Sequence, residues 1–434
     1  MAVIGLDDTD SRREGMCTTY LATRLAERLE ATAGSVKRLC LIRLNPAVEH
    51  KTRGNAALAV HTSVSAAEAF RLACDELESL AIETDAQTSP GLVVAPGDPD
   101  DVPEVVCEHS RRALRHKHRL SETLERIETA GYRHRGWAAE GCEITGRGRI
   151  GALAAVGAWA AFEDWTYERI AYRRFERCGT PRRVDLEAVF AAADSEYPTV
   201  WDTVDREAGS AVCVPNAPGP ILYGIRGDDA TAVEHVANEI AASDDTESVE
   251  TQATFLTNQG TDSHLANGSI GSLRAAAGYR VDGVVSMPPE TRAGGHVFYE
   301  LTAPETGATV DCVAFEPTKR FRQHIRALRV GDRLTVCGEH TDGTIKLEKF
   351  AVRELNRTEQ VTPECPDCGR RMKSAGRNQG YRCRDCDTAA PGKRERLVVR
   401  DLERGWYEVP PLARRHIAKP LVRGGFDAPV HPER

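Results

Sequence analysis

Three carboxylates, Asp7, Asp8 and Asp10, lie within four residues at the end of a short apolar run, Ala2 to Leu6. Carboxylates this close repel one another, and a cation relieves the repulsion. Magnesium is the usual candidate, because it takes oxygen ligands from one or two carboxylates, waters and substrate phosphates. After a polar loop come Gly15, Met16, Cys17, Thr18 and Thr19, and then a helical pattern marked by Leu21, Leu25 and Leu29. A helix start presents free N–H groups that favour a phosphate. The pair of features reads as a metal and phosphate site. An acidic turn followed by an ordinary helix cap is the plain alternative.

A second constellation lies near the other end. Cys365-Pro-Asp-Cys368 and Cys383-Arg-Asp-Cys386 are separated by 14 residues. Two close pairs supply four thiolates for tetrahedral zinc, which marks a closed structural site rather than a catalytic one. A redox pair would not need the second half. Arginines 370, 371, 377, 382 and 384, with Lys373 and Tyr381, surround the cysteines. This makes the module a plausible RNA reader.

Weaker signals lie between. Arg43 to Pro46 and Lys51 to Asn55 form a polar loop in which Lys51 and Arg53 could hold nucleotide phosphates; a solvated connection is the alternative. Gly146, Arg147 and Gly148 sit in a glycine-rich turn that leads into an alanine-rich helix. The turn would let backbone N–H groups approach a phosphate, although helix packing explains Gly151 and Gly157 equally well. Thr257 to His264 form a polar turn whose Asn258 and Gln259 could hydrogen-bond a base or a ribose, or simply cap a linker. The basic stretch Arg111 to Arg119, with His116 and His118, reads as a solvated helix face.

The elements that position these groups divide the 434 residues into five stretches. Residues 1–130 alternate strands (Ala2–Leu6, Lys37–Leu44, Ala56–Val60) with helices (Thr19–Ala33, Ser65–Ser79). Residues 131–260 carry two strand–helix–strand runs, the pattern of a ferredoxin-like module. Residues 270–355 show five short strands (Gly278–Ser286, His296–Leu301, Thr309–Phe315, Arg333–Cys337, Thr344–Val352) with a helical stretch, Phe321–Ala327, after the third. That order suggests an OB-fold barrel. The zinc ribbon spans 360–390, and a basic tail fills 391–434. The fold class is α/β multidomain.

Charge is uneven. Net charge is −8, but residues 357–434 carry 17 Lys plus Arg against 11 Asp plus Glu. A basic end on an acidic body suggests an anionic partner there. Lysines number 9 and arginines 48; arginine offers a planar fork for phosphates and base edges. Few lysines with many acidic residues is also a composition of halophiles. No apolar run is long enough to span a bilayer and no signal peptide is evident, so a cytoplasmic location is expected.

Taken together, the motifs resemble the archaeal tRNA(Ile) 2-agmatinylcytidine synthetase family. The resemblance rests on Ile4–Ser11 with Gly15–Thr19, Arg43–Pro46 with Lys51–Asn55, and Gly146–Ala155. It continues through Tyr167–Arg173, Leu222–Gly227, Thr257–Asp262, Glu316–Lys319 and the four cysteines. It implies an ATP-dependent ligase that attaches agmatine to carbon 2 of the wobble cytidine of tRNA(Ile), so that the tRNA reads AUA. It implies a kinase-like N-terminal domain in which Thr18 is the residue phosphorylated and Asp7 and Asp8, with Asp10, hold magnesium. ATP, magnesium and structural zinc are the implied cofactors; tRNA(Ile) and agmatine are the partners, with no membrane and no protein partner. Agmatine brings a guanidinium that would favour a carboxylate and a flat ring, for which Glu143, Asp164 and Glu168 with Tyr167 are candidates. Lys319 is a further substrate candidate. A non-catalytic RNA- or single-strand-binding factor is the alternative reading. The motifs of ordinary protein kinases are missing.

Overall fold

The computed structural model describes the chain except residues 12, 14, 33, 50–53, 83–84 and 139–144. Lys51, Arg53 and Glu143 therefore lie outside the described residues.

The chain begins β1 (Ala2–Asp7), α1 (Thr18–Glu30), β2 (Val36–Arg43), β3 (Ala56–Thr62), α2 (Ala66–Leu80), β4 (Gly91–Pro96), α3 (Glu104–Ala113), α4 (Leu120–Thr129) and β5 (Arg133–Gly136). It continues α5 (Arg149–Ala161), β6 (Thr166–Tyr172), α6 (Leu186–Ser195), β7 (Val200–Trp201), β8 (Val204–Asp205), β9 (Ser210–Ala211), β10 (Ile221–Gly227), α7 (Ala230–Ala241) and β11 (Thr251–Thr257). All these strands except β8 and β9 form one sheet in the order β5-β4-β1-β3-β2-β11-β6-β10-β7. The two halves join where β11 runs parallel to β2, with Leu256 opposite Cys40 and Thr257 opposite Leu41.

Period-two alternation explains the layers. Ile4 and Leu6 of β1 face a core shared with Leu21, Leu25 and Leu29 of α1 and Leu72 and Leu77 of α2. Val3 faces the opposite core, made with Val106 and Ala113 of α3 and the alanines of α5. Helix α5 seats directly on β1, because Gly5 leaves no side chain there. A Cβ on Gly5 would lie 2.1 Å from the Ala152 carbonyl oxygen. The helices α6 and α7 cover β10 through Val189, Val233, Val236 and Ile240.

Next come β12 (Leu265–Asn267), β13 (Ala277–Thr291), β14 (Val297–Thr302), β15 (Thr309–Ala314), α8 (Phe321–Arg326), β16 (Arg333–Thr341) and β17 (Thr344–Glu354). Five strands close a barrel in the order β13-β14-β15-β17-β16, and β16 returns to β13. Phe321 and Ile325 of α8 enter its core. Strand β13 runs past the expected end at Ser286, through Pro288 and Pro289, at the cost of register shifts opposite β14.

The last stretch holds β18 (Thr358–Val361), the small ribbon strands β19 (Lys373–Ser374), β20 (Tyr381–Arg382) and β21 (Ala389–Ala390), then β22 (Arg394–Leu397), β23 (Gly405–Glu408) and β24 (Val430–His431). The basic tail is part of the body. Strand β23 extends the barrel sheet beside β17, and Tyr407 stacks on Phe350 with ring centroids 5.3 Å apart. Trp406 is 1% exposed, so it anchors the tail by packing and is closed to a base.

Candidate functional site

A cavity of about 810 Å³ opens where these parts meet. Its wall takes Asp7, Asp8, Asp10 and Thr18 from one end, Arg43 from the end of β2, and Glu168 and Arg226 from β6 and β10. Residues 210–217 and the tail residues Pro411, Leu412, Arg414 and His416 complete it.

At the acidic end, Asp8 adopts φ 60° and its N–H donates to Asp7 Oδ1 at 2.7 Å. Asp8 Oδ2 accepts from Arg147 Nη2 at 2.9 Å and from the Ser89 N–H at 3.2 Å. Burial first, and the Asp8 charge next, push the Asp7 carboxyl well above the ordinary range. Asp8 is also raised by burial, against the pull of Arg147. Buried oxygen donors that resist ionisation are a donor set that a hard divalent cation would relieve. The three carboxylates do not form a closed cage; the tight cluster of ligand atoms found among the described residues is the cysteine one. One or two carboxylates with open positions is the arrangement magnesium takes beside a phosphate.

Thr18 begins α1 and is 6% exposed. Its Oγ1 accepts from Thr9 Oγ1 at 3.0 Å. No side chain caps the helix at Cys17, so the first N–H groups of α1 lie beside the Thr18 hydroxyl.

The glycine-rich turn serves this end by close approach. A Cβ on Gly148 would lie 2.6 Å from the Asp7 carbonyl oxygen, and one on Gly151 would lie 2.0 Å from Asp7 Oδ2. Gly146, with φ +68°, packs against Gly136 and does not line the cavity. Arg147 does line it, already paired with Asp8.

The middle wall is a buried charge network. Glu168 Oε1 accepts from Arg226 Nε at 3.3 Å. Its Oε2 accepts from Gln259 Nε2 and stands 4.0 Å from Arg43 Nη2. Both Glu168 oxygens thus have protein donors. Tyr167, the next residue, points to the other face of the sheet and packs with the α6–α7 core; adjacent strand residues cannot share a face. Asp164 is exposed and pairs with Arg423 at 3.5 Å. Lys319 is exposed and pairs with Glu316 at 3.1 Å. Neither lines the cavity.

Asn258 lies behind the wall. Its Oδ1 accepts the Arg43 N–H at 2.7 Å and its Nδ2 donates to the Arg43 carbonyl at 3.0 Å. The carboxamide thus continues the β2–β11 ladder by one step. Gln259 Oε1 accepts from Arg43 Nη2 at 3.3 Å. The N–H groups of Gly260 and Asp262 donate to the carbonyls of His416 and Ile417. Asp262 also receives Lys349 Nζ at 2.8 Å. The polar turn is a joint between the sheet, the barrel and the tail.

Several wall residues were not legible as site residues. Arg226 lies in an ordinary β10 pattern, while His416 and Arg414 sit in the tail. His116 and His118, read as a solvated helix face, follow α3 and line the cavity, and His118 stacks on His109 at 4.2 Å. The tail's positive charge is largely internal. Arg414 pairs with Glu408 at 2.8 Å and also with Asp202; Arg415 pairs with Glu348 at 3.2 Å; Arg423 bonds Asp228 at 2.6 Å.

The four cysteine sulfurs lie within 4.8 Å of one another, and Cys368 Sγ is 3.6 Å from Cys383 Sγ. Tetrahedral zinc with Zn–S near 2.3 Å requires sulfurs about 3.8 Å apart. The donor set therefore fits zinc. Arg371, Lys373, Arg377, Arg382 and Arg384 around it are exposed.

Three family models match the chain: the TiaS TCKD domain at residues 3–67, the TiaS FLD domain at 146–264 and the TiaS C-terminal zinc ribbon domain at 362–402. The tRNA(Ile) 2-agmatinylcytidine synthetase TiaS of Haloquadratum walsbyi is 55% identical, with 100% of both chains covered. That of Methanosarcina mazei is 42% identical over 97% of each. Among solved structures, a complex of TiaS with its isoleucine tRNA and ATP superposes with TM-score 0.87 at 39% identity, covering 100% of this chain and 99% of that one. A complex of TiaS with the same tRNA, AMPCPP and agmatine gives 0.86 at 37% identity over the same shares. The chain belongs to the tRNA(Ile) 2-agmatinylcytidine synthetase (TiaS) family.

Proposed function

We propose that this protein uses ATP to join agmatine to carbon 2 of the wobble cytidine of tRNA(Ile), so that the tRNA reads AUA. The observation that carries this reading is the cavity that runs from buried carboxylates and Thr18 to a basic wall, in a chain similar over its full length to enzymes of that name.

The chemistry matches the wall. The cytidine oxygen leaves only after phosphorylation, and the amine of agmatine then attacks carbon 2 and loses a proton while phosphate departs. Asp7 and Asp8, with Asp10 beside them, would hold magnesium, which supplies charge for the transferring phosphoryl group. Thr18 is the hydroxyl that takes a phosphoryl group, with the start of α1 to receive its charge. The Gly148 and Gly151 contacts hold Asp7 against α5, and Arg147 orients Asp8. The working parts are a kinase-like unit around β1 and α1, a ferredoxin-like unit around β6, β10 and β11, an OB-type barrel and a zinc ribbon. The ribbon's exposed arginines grip tRNA, and its zinc does no chemistry. No helix among the described residues is long and apolar enough to cross a membrane, which accords with a cytoplasmic enzyme.

The test is mass spectrometry of the wobble nucleoside after incubation with tRNA(Ile), ATP, magnesium and agmatine. A gain of agmatine less water, dependent on ATP, is expected. No gain despite tight tRNA binding would turn the reading to a binding factor.

A further inference from the structure

The middle wall has more positive charge than it can neutralise. Arg226 and Arg43 have side chains 8% and 15% exposed, and among the described residues both pair with one carboxylate, Glu168, itself 6% exposed. Arg43 Nε is buried without a hydrogen-bond partner. His416 lies beside them in the wall, and burial together with the two guanidinium groups keeps its ring neutral. The ring Nδ1 is likewise buried and unpartnered. Two guanidinium groups, one carboxylate and a neutral imidazole leave one positive charge in a desolvated wall. An uncompensated buried charge is costly unless a ligand neutralises it. Guanidinium forks match phosphate oxygens.

We infer that Arg43 and Arg226 form a phosphate-binding site across the cavity from the acidic end, and that Glu168 holds the two forks in place. This rests on the proposed function for the source of the phosphate: a backbone phosphodiester beside the target nucleotide, or the nucleoside triphosphate. The same surplus charge opposes a second guanidinium, which argues against Glu168 as the seat of agmatine.

Binding to the full-length protein, measured without magnesium and without turnover, tests the site. The affinity for tRNA(Ile) is followed across salt concentration, and ATP affinity at one salt. Arg226→Gln should weaken one of these ligands roughly tenfold or more, the scale of a lost charge-assisted hydrogen bond. If the phosphodiester is the ligand, tRNA affinity falls and the slope of log affinity against log salt decreases by about 1. If the triphosphate is the ligand, ATP affinity falls and the slope stays. Glu168→Gln separates binding from folding: it removes the one negative charge, so the same ligand should bind tighter. Loss of affinity in both variants, or no change in either ligand, would overturn the site. A positive binding pattern with no agmatine incorporation would keep the site and discard the reaction.

Discussion

Gly151 offers a sharp test of how the acidic end is held. It lies in α5, where alanine is the better helix former by roughly 1 kcal/mol. An exposed helix would gain stability from Gly151→Ala. Here the added Cβ would lie 2.0 Å from Asp7 Oδ2, 2.7 Å from Asp7 Cγ and 3.1 Å from Leu44 Cδ1. Ordinary contact begins at 3.4 Å, so the carboxylate must move by about 1.4 Å. It is the end of a side chain and can turn, but Oδ1 then gives up the Asp8 N–H it accepts at 2.7 Å. Losing that charge-assisted bond costs about 1.5–3 kcal/mol, which the helix gain offsets only in part. A net loss of about 1–2 kcal/mol in stability is expected. A shift of this size in a reacting group costs on the order of 100-fold in rate. Gly157→Ala is the control. Its Cβ would meet Ser110 Oγ at 2.5 Å, in the α3–α5 packing away from the carboxylates. Both variants should melt lower, but Gly151→Ala alone should lose agmatine incorporation and require more magnesium. Equal loss of activity in the two, or full activity in Gly151→Ala, would refute the argument that α5 fixes the Asp7 carboxylate.

Three further outcomes follow from the site. Thr18→Ala should abolish or cripple modification while tRNA binding persists, and Thr18→Ser should restore activity in part; full activity in the alanine variant would exclude a phosphorylated Thr18. Cys383→Ser should lose stoichiometric zinc by metal analysis and weaken tRNA binding, and unchanged zinc and affinity would defeat the ribbon assignment. The third concerns pH. Burial raises Asp7 and Asp8 above their unfolded values, so without metal their contribution to stability is present at low pH and lost as pH rises through the raised values. Magnesium competes with those protons. The increase in Tm on adding magnesium should therefore be larger at about pH 8 than at about pH 5.5, and equal increases would place the ion elsewhere.

Local chemistry was legible without coordinates. The Asp7–Asp10 cluster, the Thr18 helix start and the four cysteines are short-range patterns, and each keeps its meaning because neighbours in the chain remain neighbours in space. The barrel strands were also legible, because alternation and turn residues are local signals. The reach of β13 beyond Pro288 was not, since a bulge depends on the opposing strand. Two physical facts hid the rest. Alternation along β6 sends Glu168 into the cavity and Tyr167 to the far face, which follows from the register of the sheet and not from the pair of residues. The role of Asn258 depends on Arg43, 215 positions earlier, which only the parallel β2–β11 junction brings to it. The tail shows the same limit most clearly. Its composition read as a basic arm for an outside anion, yet Arg414, Arg415 and Arg423 meet carboxylates of the sheet and barrel, and His416 closes the cavity. Sequence alone determined which groups could bind metal, phosphate and zinc. Tertiary structure decided which charges are already neutralised, because a charge pair forms between residues that are close in space, however far apart they lie in the chain.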